Sequence, residues 1–495
     1  MGNIHSLSTE SALRPCLTGA VPHVAFPDEL FYQLRDAQPW NLNIPVLPAA
    51  VTYPETSDQV AAVIRCAAEN DFKVQAKSGG HSYGNYGLGG DDGAVVINLK
   101  KFQQFSMNQQ TWQATIGSGT LLGDVTKRLH NAGARAMAHG TCPSVGIGGH
   151  ATIGGLGPTS RLWGTSLDHV EEVEVVLANS TITRASQNQN SDLFFALRGA
   201  AASFGVITEF KVRTEPAPGE IVQYSFGFTY DSYATMAYAF KLWQQFVSAP
   251  ELTAKFATQV VISKLGMVIS GTYFGSKAEF DNLKFNDIFF HAHFGHVVVL
   301  DDWLGVVANW ATDVALLLGT GEPAAMFSKS LTFNTSHLIP SPIIDDLFNY
   351  FDTAKRGSSA WFAIFDLEGG AVNDVQPDAT AYAHRDAIFY LQSYAVEIGA
   401  SSVSESTKDF IRGINNVITD GMPGVNLGAY AGYVDPELGD KGPAAYWGTN
   451  LPRLEQLKRK YDPEDIFHNP QSVRPAVSAE ITKQQGEKQK GLWTK

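Results

Sequence analysis

The stretch Ala76–Gly90, with the sequence AKSGGHSYGNYGLGG, constrains this chain more than any other. Six of the twelve residues from 79 to 90 are glycine, and the alternating run Phe72–Ala76 just before them predicts a short strand. Glycine costs chain entropy on folding, so this density indicates that the backbone approaches something closely. The consecutive amides of residues 78–82 predict a concave donor site for an anion such as a pyrophosphate.

A second glycine-rich stretch spans Ala138–Gly157, AHGTCPSVGIGGHATIGGLG. Its segment Gly146–Ala151 formally satisfies the G-x-G-x-x-A pattern of dinucleotide-binding proteins. That pattern requires a strand before it and a long helix after it. Here Cys142-Pro143 precedes the segment and Pro158 soon follows it. We therefore expect backbone that lies flat against a planar ligand, and not a Rossmann turn.

The size and charge of the chain exclude several classes of function. Its 495 residues suffice for two or three domains, and 44% hydrophobic residues supply a large core. The formal net charge of −13 disfavours nucleic acid and anionic membranes as partners. The most apolar window, Trp303–Leu318, contains Asp313 and is too short to span a bilayer, so no stable membrane association is expected.

Three cysteines are an odd number and too few for a disulfide framework: Cys16, Cys66 and Cys142. Cys66 lies in an alanine-rich helical pattern and is expected to be a small buried apolar group. Cys142 lies between turn-forming residues, where an exposed thiolate would be a good nucleophile. No metal site is expected, since Cys142, His139 and His150 lack a fourth ligand at useful spacing.

The first twenty residues have neither an apolar core of secretory length nor a positively charged lead. We therefore expect an intracellular, cytoplasmic protein. Met1-Gly2 with Ser6 matches a loose myristoylation pattern, which no polybasic segment supports.

The pattern of predicted elements is typical of an α+β protein built from successive units. Residues 1–215 combine short strands and helices with the glycine-rich stretches and end at the proline-rich hinge Thr214–Gly219. Residues 216–425 predict an antiparallel sheet covered by helices. Its predicted strands are Thr258–Leu265, Val268–Phe274, Ala360–Leu367 and Ala387–Tyr394. Residues 426–477 form a further unit, and 478–495 a polar tail.

Three segments together resemble a known family: KSGGHSYGNYG, HGTCPSVGIGGH and YDPEDIFHNPQSVRP. They are similar to FAD-linked oxidoreductases of the berberine bridge enzyme type, within the vanillyl-alcohol oxidase/p-cresol methylhydroxylase superfamily. Within this family the chain resembles fungal members such as glucooligosaccharide and chitooligosaccharide oxidases and secondary-metabolite FAD oxidases. The resemblance covers roughly residues 48–475.

The resemblance implies a two-part FAD-binding domain of the PCMH type, to which residues 426–477 return, and a substrate domain over the reactive face of the flavin. It also implies a flavin attached twice, through His81 to its 8α-methyl group and through Cys142 to its carbon 6. The pyrophosphate would then lie against Ser78, Gly79, Gly80 and Ser82. The residues expected to line the flavin are Gly146, Gly149 and His150.

The resemblance also implies a catalytic pair. Tyr433, in Tyr430-Ala-Gly-Tyr433, matches the family's catalytic tyrosine, although Gly432 replaces the usual asparagine. Asp366, in the segment FDLEGG, matches the aspartate that assists it. A tyrosine of ordinary pKa is a poor base at neutral pH, so a carboxylate that accepts or relays its proton is chemically reasonable.

Weaker candidates for the substrate pocket are Tyr83, Trp361 and Gln392. The resemblance implies two-electron oxidation of a small molecule, with molecular oxygen reduced to hydrogen peroxide. Because the chain is expected to be intracellular, we favour a fungal secondary-metabolite intermediate as substrate. The alternatives are an oligosaccharide oxidised at its anomeric carbon and, more remotely, a flavin-binding protein without catalysis.

Overall fold

The computed structural model describes residues 4–229, 233–289, 291–318, 322–357 and 359–477, with side chains from residue 12 onward except within 313–318. The longer helices are Ile4–Ala20, Ser57–Glu69, Leu122–Asn131, Ser191–Ala200, Tyr233–Val247, Trp303–Leu318, Ser341–Thr353, Glu405–Gly421 and Leu451–Tyr461. Shorter helices and helical turns are Tyr32–Arg35, Tyr86–Leu88, Ile147–His150, Ser160–Trp163, Ser166–His169, Ala201–Ser203, Lys277–Asn282, Phe285–Ile288, Gly370–Val372, Pro436–Lys441, Gly442–Trp447 and Gly448–Asn450. Among the described residues, no helix has both the length and the apolar composition needed to cross a bilayer.

Two sheets form the first part of the chain. One has four strands in the order Val24–Ala25, Ala50–Thr52, Val95–Asn98 and Val74–Lys77, of which the last three run parallel. The other is antiparallel, in the order Phe105–Met107, Gln113–Gly117, Val206–Arg213, Val170–Val176 and Ile182–Ser186. A two-stranded pair joins Arg135–Ala136 to Glu215–Pro216. The strand Val74–Lys77 delivers the chain directly into the first glycine-rich stretch.

A seven-stranded antiparallel sheet follows. Its strand order is Phe294–Leu300, Ile221–Phe228, Gly266–Tyr273, Phe256–Ser263, Ala360–Leu367, Ala387–Glu397 and Ala325–Asn334. Helices 233–247, 341–353 and 405–421 cover one face through a core that includes Phe240, Trp243, Phe351 and Phe410. The predicted fold class, an α+β protein with a helix-covered antiparallel sheet, is confirmed.

Three strands of this sheet were not predicted from the sequence. Ala325–Asn334 is one of them, and eight of its ten residues are buried. A strand that is buried on both faces lacks the alternation of polar and apolar residues by which strands are predicted. The unit boundaries at residues 215 and 425 remain predictions.

Residues near the C-terminus return to the first part of the chain. The amide of Val74 donates to the carbonyl of Ile466 at 2.8 Å, beside the strand that precedes the glycine-rich loop. Lys458 is fully buried, and its Nζ lies 2.6 Å from Asp462 Oδ2 and donates to the carbonyl of Phe467 at 2.8 Å. A second buried ion pair, Arg385–Asp168, joins distant parts of the chain through two 2.8 Å contacts.

Two of the three cysteines form a disulfide, so the expectation of none is wrong. Cys16, in the first helix, and Cys66, in Ser57–Glu69, have their Cα atoms 5.7 Å apart. The apolar burial expected of Cys66 is also present, since it is 4% exposed. The pairing has no signature in the spacing of three cysteines, because packing of the two helices brings them together.

Replacing both residues, Cys16→Ala/Cys66→Ala, is expected to lower the free energy of unfolding by about 4 kcal/mol. The disulfide closes a loop with a sequence separation of 50 and so restricts the unfolded chain. Urea unfolding of the oxidised wild type, the dithiothreitol-reduced wild type and the variant measures this effect. The reduced wild type should match the variant, whereas equal midpoints for oxidised and reduced wild type would contradict the prediction.

Candidate active site

A cavity of about 1230 Å³ lies between the glycine-rich loops and the uncovered face of the seven-stranded sheet. It contacts residues 75–83 and 140–146 on one side, and strands 256–263 and 360–367 on the other. Pockets for a single small ligand usually measure about 300–1,000 Å³. The volume therefore suits two molecules side by side, such as a cofactor and a substrate.

The first glycine-rich loop presents free backbone donors to this cavity. A Cβ atom at Gly79 would overlap the backbone of Gly146, so the two glycine-rich stretches touch backbone to backbone there. Ser78 also lines the cavity, and its Oγ donates to the carbonyl of Ser118 at 2.7 Å. Within the described chain, no acceptor pairs with the backbone amides of residues 79–83. Such a run of free amides suits a pyrophosphate.

His81 lines the cavity beside an aromatic ring. Its imidazole stacks on Trp40, with ring centroids 3.8 Å apart. Burial lowers the pKa of His81 to about 4, so the ring is neutral at pH 7 and keeps a lone pair for bond formation. Trp40 was not predicted, because a tryptophan far upstream of a glycine-rich loop carries no local signal of contact with it.

Cys142 lines the same cavity as a free, half-buried thiol. Its Sγ lies 3.4 Å from Ser144 Oγ. Nearby, His150 Nε2 accepts a hydrogen bond from the amide of Gly140 at 2.9 Å, and burial lowers the pKa of His150 to about 3. A Cβ atom at Gly149 would meet nothing within 4 Å, so this glycine borders open space.

Tyr433 and Asp366 meet across the cavity floor. Tyr433 Oη donates to Asp366 Oδ2 at 2.7 Å. Burial raises the pKa of Asp366 to about 6, against the opposite effect of the hydrogen bond from Tyr433. Burial and the nearby carboxylate raise the pKa of Tyr433 well above its usual value. At neutral pH the pair is therefore a phenol donating to a carboxylate.

Gly432, where the family usually has asparagine, is explained by its neighbour. A Cβ atom at this position would overlap the ring of Tyr430. That ring packs edge-on against Tyr433, with centroids 5.1 Å apart and planes at 88°. The Tyr430 hydroxyl accepts from the amide of Gly155 at 2.9 Å. Gly432 thus leaves room for the Tyr430 ring, which packs directly against Tyr433.

The three weaker pocket candidates separate into two groups. Gln392 Nε2 donates to the hydroxyl of Tyr83 at 2.9 Å, and both residues line the cavity. Trp361 lies on the other face of the sheet, where it stacks on Phe351 with ring centroids 5.6 Å apart. Alternate residues of a strand face opposite sides, so Asp366 and Trp361, five positions apart, cannot both face the cavity.

Glu368 is a buried carboxyl group that was not predicted to belong to the site. It lines the cavity two residues after Asp366 and is 3% exposed. Its Oε2 has no hydrogen-bond partner among the described residues. Burial, and then the Asp366 carboxylate, raises the pKa of Glu368 well above its usual value. The available signal was a second carboxylate two positions after the first, a spacing that places both on one side of an extended chain.

Comparison with known proteins gives the family. The family described as "FAD binding domain" matches residues 48–186, and the family described as "Berberine and berberine like" matches residues 429–474. The FAD-linked oxidoreductase sorD of Penicillium rubens is 40% identical over 475 residues, which cover 95% of this chain and 100% of that protein. The chitooligosaccharide oxidase of Gibberella zeae is 34% identical, with 94% of each chain covered.

Solved structures agree with this result. A chitooligosaccharide oxidase superposes with a TM-score of 0.86 at 33% identity, covering 94% of this chain and all of that one. A glucooligosaccharide oxidase from Acremonium strictum, described with a 6-S-cysteinyl, 8α-N1-histidyl FAD, superposes with a TM-score of 0.85 at 30% identity, again over 94% of this chain and 100% of that one. The expected resemblance is confirmed. The chain belongs to the berberine bridge enzyme-like FAD-linked oxidoreductases, and it is an FAD-dependent enzyme of that family.

Proposed function

We propose that this enzyme is an oxidase that removes a hydride and a proton from an alcohol-type small molecule and passes the two electrons to molecular oxygen, forming hydrogen peroxide. The observation that carries the proposal is the 2.7 Å hydrogen bond between Tyr433 and Asp366 at the floor of the cavity. A reacting hydroxyl beside Tyr433 loses its proton to the phenol oxygen while the proton of Tyr433 passes to Asp366.

The cavity residues suit FAD. Free amides of residues 79–83 would hold its pyrophosphate, and Gly149 and His150 would lie against its ring system. His81 and Cys142 would be its two covalent anchors, since both side chains line the cavity as an uncharged ring and a free thiol. When bound, FAD supplies the acceptor of the hydride and the site at which oxygen is reduced.

Single replacements of the two anchors, His81→Ala and Cys142→Ala, are each expected to leave one covalent bond to FAD. Acid precipitation followed by absorption of the pellet and supernatant measures the bound fraction. Each single variant should keep its yellow colour in the pellet, and the double variant should release all of it.

A matched control for the anchors is His337→Ala, at an exposed histidine, which should behave as wild type. Release of flavin from the wild type by acid would contradict covalent attachment. Flavin retained in the pellet by the double variant would contradict these two anchors.

For the substrate, we favour a fungal secondary-metabolite intermediate. The relative that is 40% identical is named as an FAD-linked oxidoreductase, whereas the chitooligosaccharide oxidase is 34% and the xylooligosaccharide oxidase 31% identical. The second candidate, oligosaccharide oxidation at the anomeric carbon, is supported by the names of the superposed structures.

Peroxide release separates the two candidates. The holoenzyme would be incubated aerobically with cellobiose, chitobiose and xylobiose, and in parallel with aromatic and allylic alcohols. We expect peroxide from alcohols of the second set. Turnover of the sugars alone would favour oligosaccharide oxidation. If neither these compounds nor a host extract reduces the flavin, a flavin-binding protein without catalysis is favoured.

The compartment is also a proposal. The N-terminal sequence predicted a cytoplasmic protein, but a disulfide such as Cys16–Cys66 forms and persists in oxidising compartments. We therefore infer that the protein matures in an oxidising compartment. Alkylation of thiols in protein from its native host should modify none of the three cysteines before reduction, because Cys16 and Cys66 are paired and Cys142 is proposed to be bound to FAD. Labelled Cys16 before reduction would return the assignment to the cytoplasm.

A further inference from the structure

Glu368 is a carboxyl group whose partner the protein does not provide. It follows the last residue of the strand Ala360–Leu367 and is 3% exposed. Its Oε2 is buried without a hydrogen bond to any described residue. Burying an ionised carboxylate without a partner is costly, so the protonated form, which can donate a hydrogen bond, is favoured.

The nearby cation, Arg161, donates its hydrogen bonds to backbone carbonyls. Arg161 donates through Nε to the carbonyl of Phe256 at 2.8 Å and through Nη1 to the backbone carbonyl of Glu368, not to its carboxyl group. Its remaining nitrogen, Nη2, donates to the carbonyls of Leu252 and Thr253 at 3.4 and 3.3 Å. Arg161 thus holds the backbone around Glu368 and leaves the carboxyl group unpaired.

The neighbouring hydroxyls do not hydrogen bond to the carboxyl group of Glu368 either. Those of Tyr382 and Tyr390 hydrogen bond to each other at 2.6 Å. The Tyr430 hydroxyl accepts from a backbone amide, and the Tyr433 hydroxyl donates to Asp366. Glu368 thus lines the cavity together with Tyr433 and Asp366 and has no protein partner for its Oε2. This arrangement indicates that a bound molecule supplies the partner.

We propose that Glu368 is a specificity-determining residue that donates a hydrogen bond from its carboxyl group to a second oxygen of the substrate. This inference rests on the proposed function, because Tyr433 and Asp366 must hold the reacting hydroxyl. Side chains two positions apart on an extended chain are about 7 Å apart. The substrate class is therefore an alcohol with a carbonyl, ether or ring oxygen within a ring's breadth of the oxidised carbon.

The protonation of Glu368 can be tested without a substrate. The infrared spectrum of the holoenzyme at pH 7 should contain the C=O stretch of a buried, protonated carboxylic acid. The band should disappear in Glu368→Gln and remain in the matched control Glu322→Gln, at an exposed glutamate on the cavity rim. A band that is absent from the wild type, or that survives in Glu368→Gln, would overturn the proposal.

Binding of two probes tests the partner. Benzoin carries a carbonyl next to its hydroxyl carbon, and 1,2-diphenylethanol has the same shape without it. Equilibrium dialysis on the holoenzyme should show benzoin bound about three- to tenfold more tightly, the range of one neutral hydrogen bond. Glu368→Gln keeps a donor and should keep this preference, whereas Glu368→Leu should lose it and Glu322→Leu should not.

The pH dependence adds a second check on the same variants. The titratable groups that face Glu368 are Asp366, Arg161, Tyr382, Tyr390, Tyr430 and Tyr433. The preference for benzoin should fall at alkaline pH in the wild type, as Glu368 ionises, and persist in Glu368→Gln, which retains all six neighbours. An identical alkaline loss in both proteins would overturn the proposal.

Two further outcomes would overturn the inference. If the wild type binds the two probes with equal affinity, the inference about Glu368 is wrong. Oxidation of other alcohols by the same enzyme would still support the proposed function. If Glu368→Leu changes the flavin absorption spectrum in the absence of a probe, Glu368 hydrogen bonds to the cofactor and not to the substrate.

Discussion

Replacing Tyr433 by phenylalanine is expected to lower kcat/KM by about 10²- to 10⁴-fold, the usual contribution of a general base. The variant loses the hydroxyl that lies 2.7 Å from Asp366 Oδ2 and that we propose accepts the substrate proton. Steady-state peroxide release, together with anaerobic flavin reduction, measures the effect at the chemical step. Flavin content should be unchanged, because Tyr433 is not among the proposed anchors.

The control for Tyr433→Phe is Tyr238→Phe, at a tyrosine that is 54% exposed. It should leave activity unchanged. Normal turnover by Tyr433→Phe with a full complement of flavin would exclude Tyr433 as the base.

Asp366→Asn is expected to be the second most damaging replacement, with about a 10²-fold loss of kcat/KM. An amide still accepts the hydrogen bond of Tyr433 but cannot take its proton. In the wild type, Asp366 has a pKa of about 6, raised by burial. The active form is the carboxylate, which is present above that pH and is lost as the pH falls. Activity of the wild type should therefore decline about tenfold per pH unit below 6.

The pH profile distinguishes this role from a structural one. Asp366→Asn should lose the acid limb of the profile as well as most of its rate, whereas Asp409→Asn, at an exposed aspartate, should retain both. A wild-type profile that is flat down to pH 4, or an acid limb that survives in Asp366→Asn, would show that Asp366 does not receive the proton.

The two glycine-rich stretches could be read from the sequence because their signals are local. Glycine at this density, a histidine in the first stretch and a cysteine in the second lie within short segments, and the structure places His81 and Cys142 on one cavity. The strand Ala360–Leu367 was predicted with the bounds that it has. Its apolar residues are contiguous and a glycine pair follows, so the segment itself carries the signals that predict where the strand begins and ends.

The sequence did not show which residues of that strand face the cavity and which face the covering helices. Asp366 and Trp361 were both expected at the pocket, yet only Asp366 reaches it, because the phase of the alternation depends on which face the helices cover. The same phase brings Glu368 to the cavity, where its lack of a partner becomes visible only once every neighbouring hydrogen bond is known.

By itself the sequence determined the α+β class, the family, the two loops that bear His81 and Cys142, and the identity of the catalytic pair as a proposal. Tertiary structure decided which groups meet. Tyr433 and Asp366 are 67 positions apart, Gln392 and Tyr83 are 309, and Cys16 and Cys66 are 50. The reason is physical: residue patterns set backbone conformation over a few residues, whereas contacts between distant side chains arise from strand register and from the packing of elements on one another.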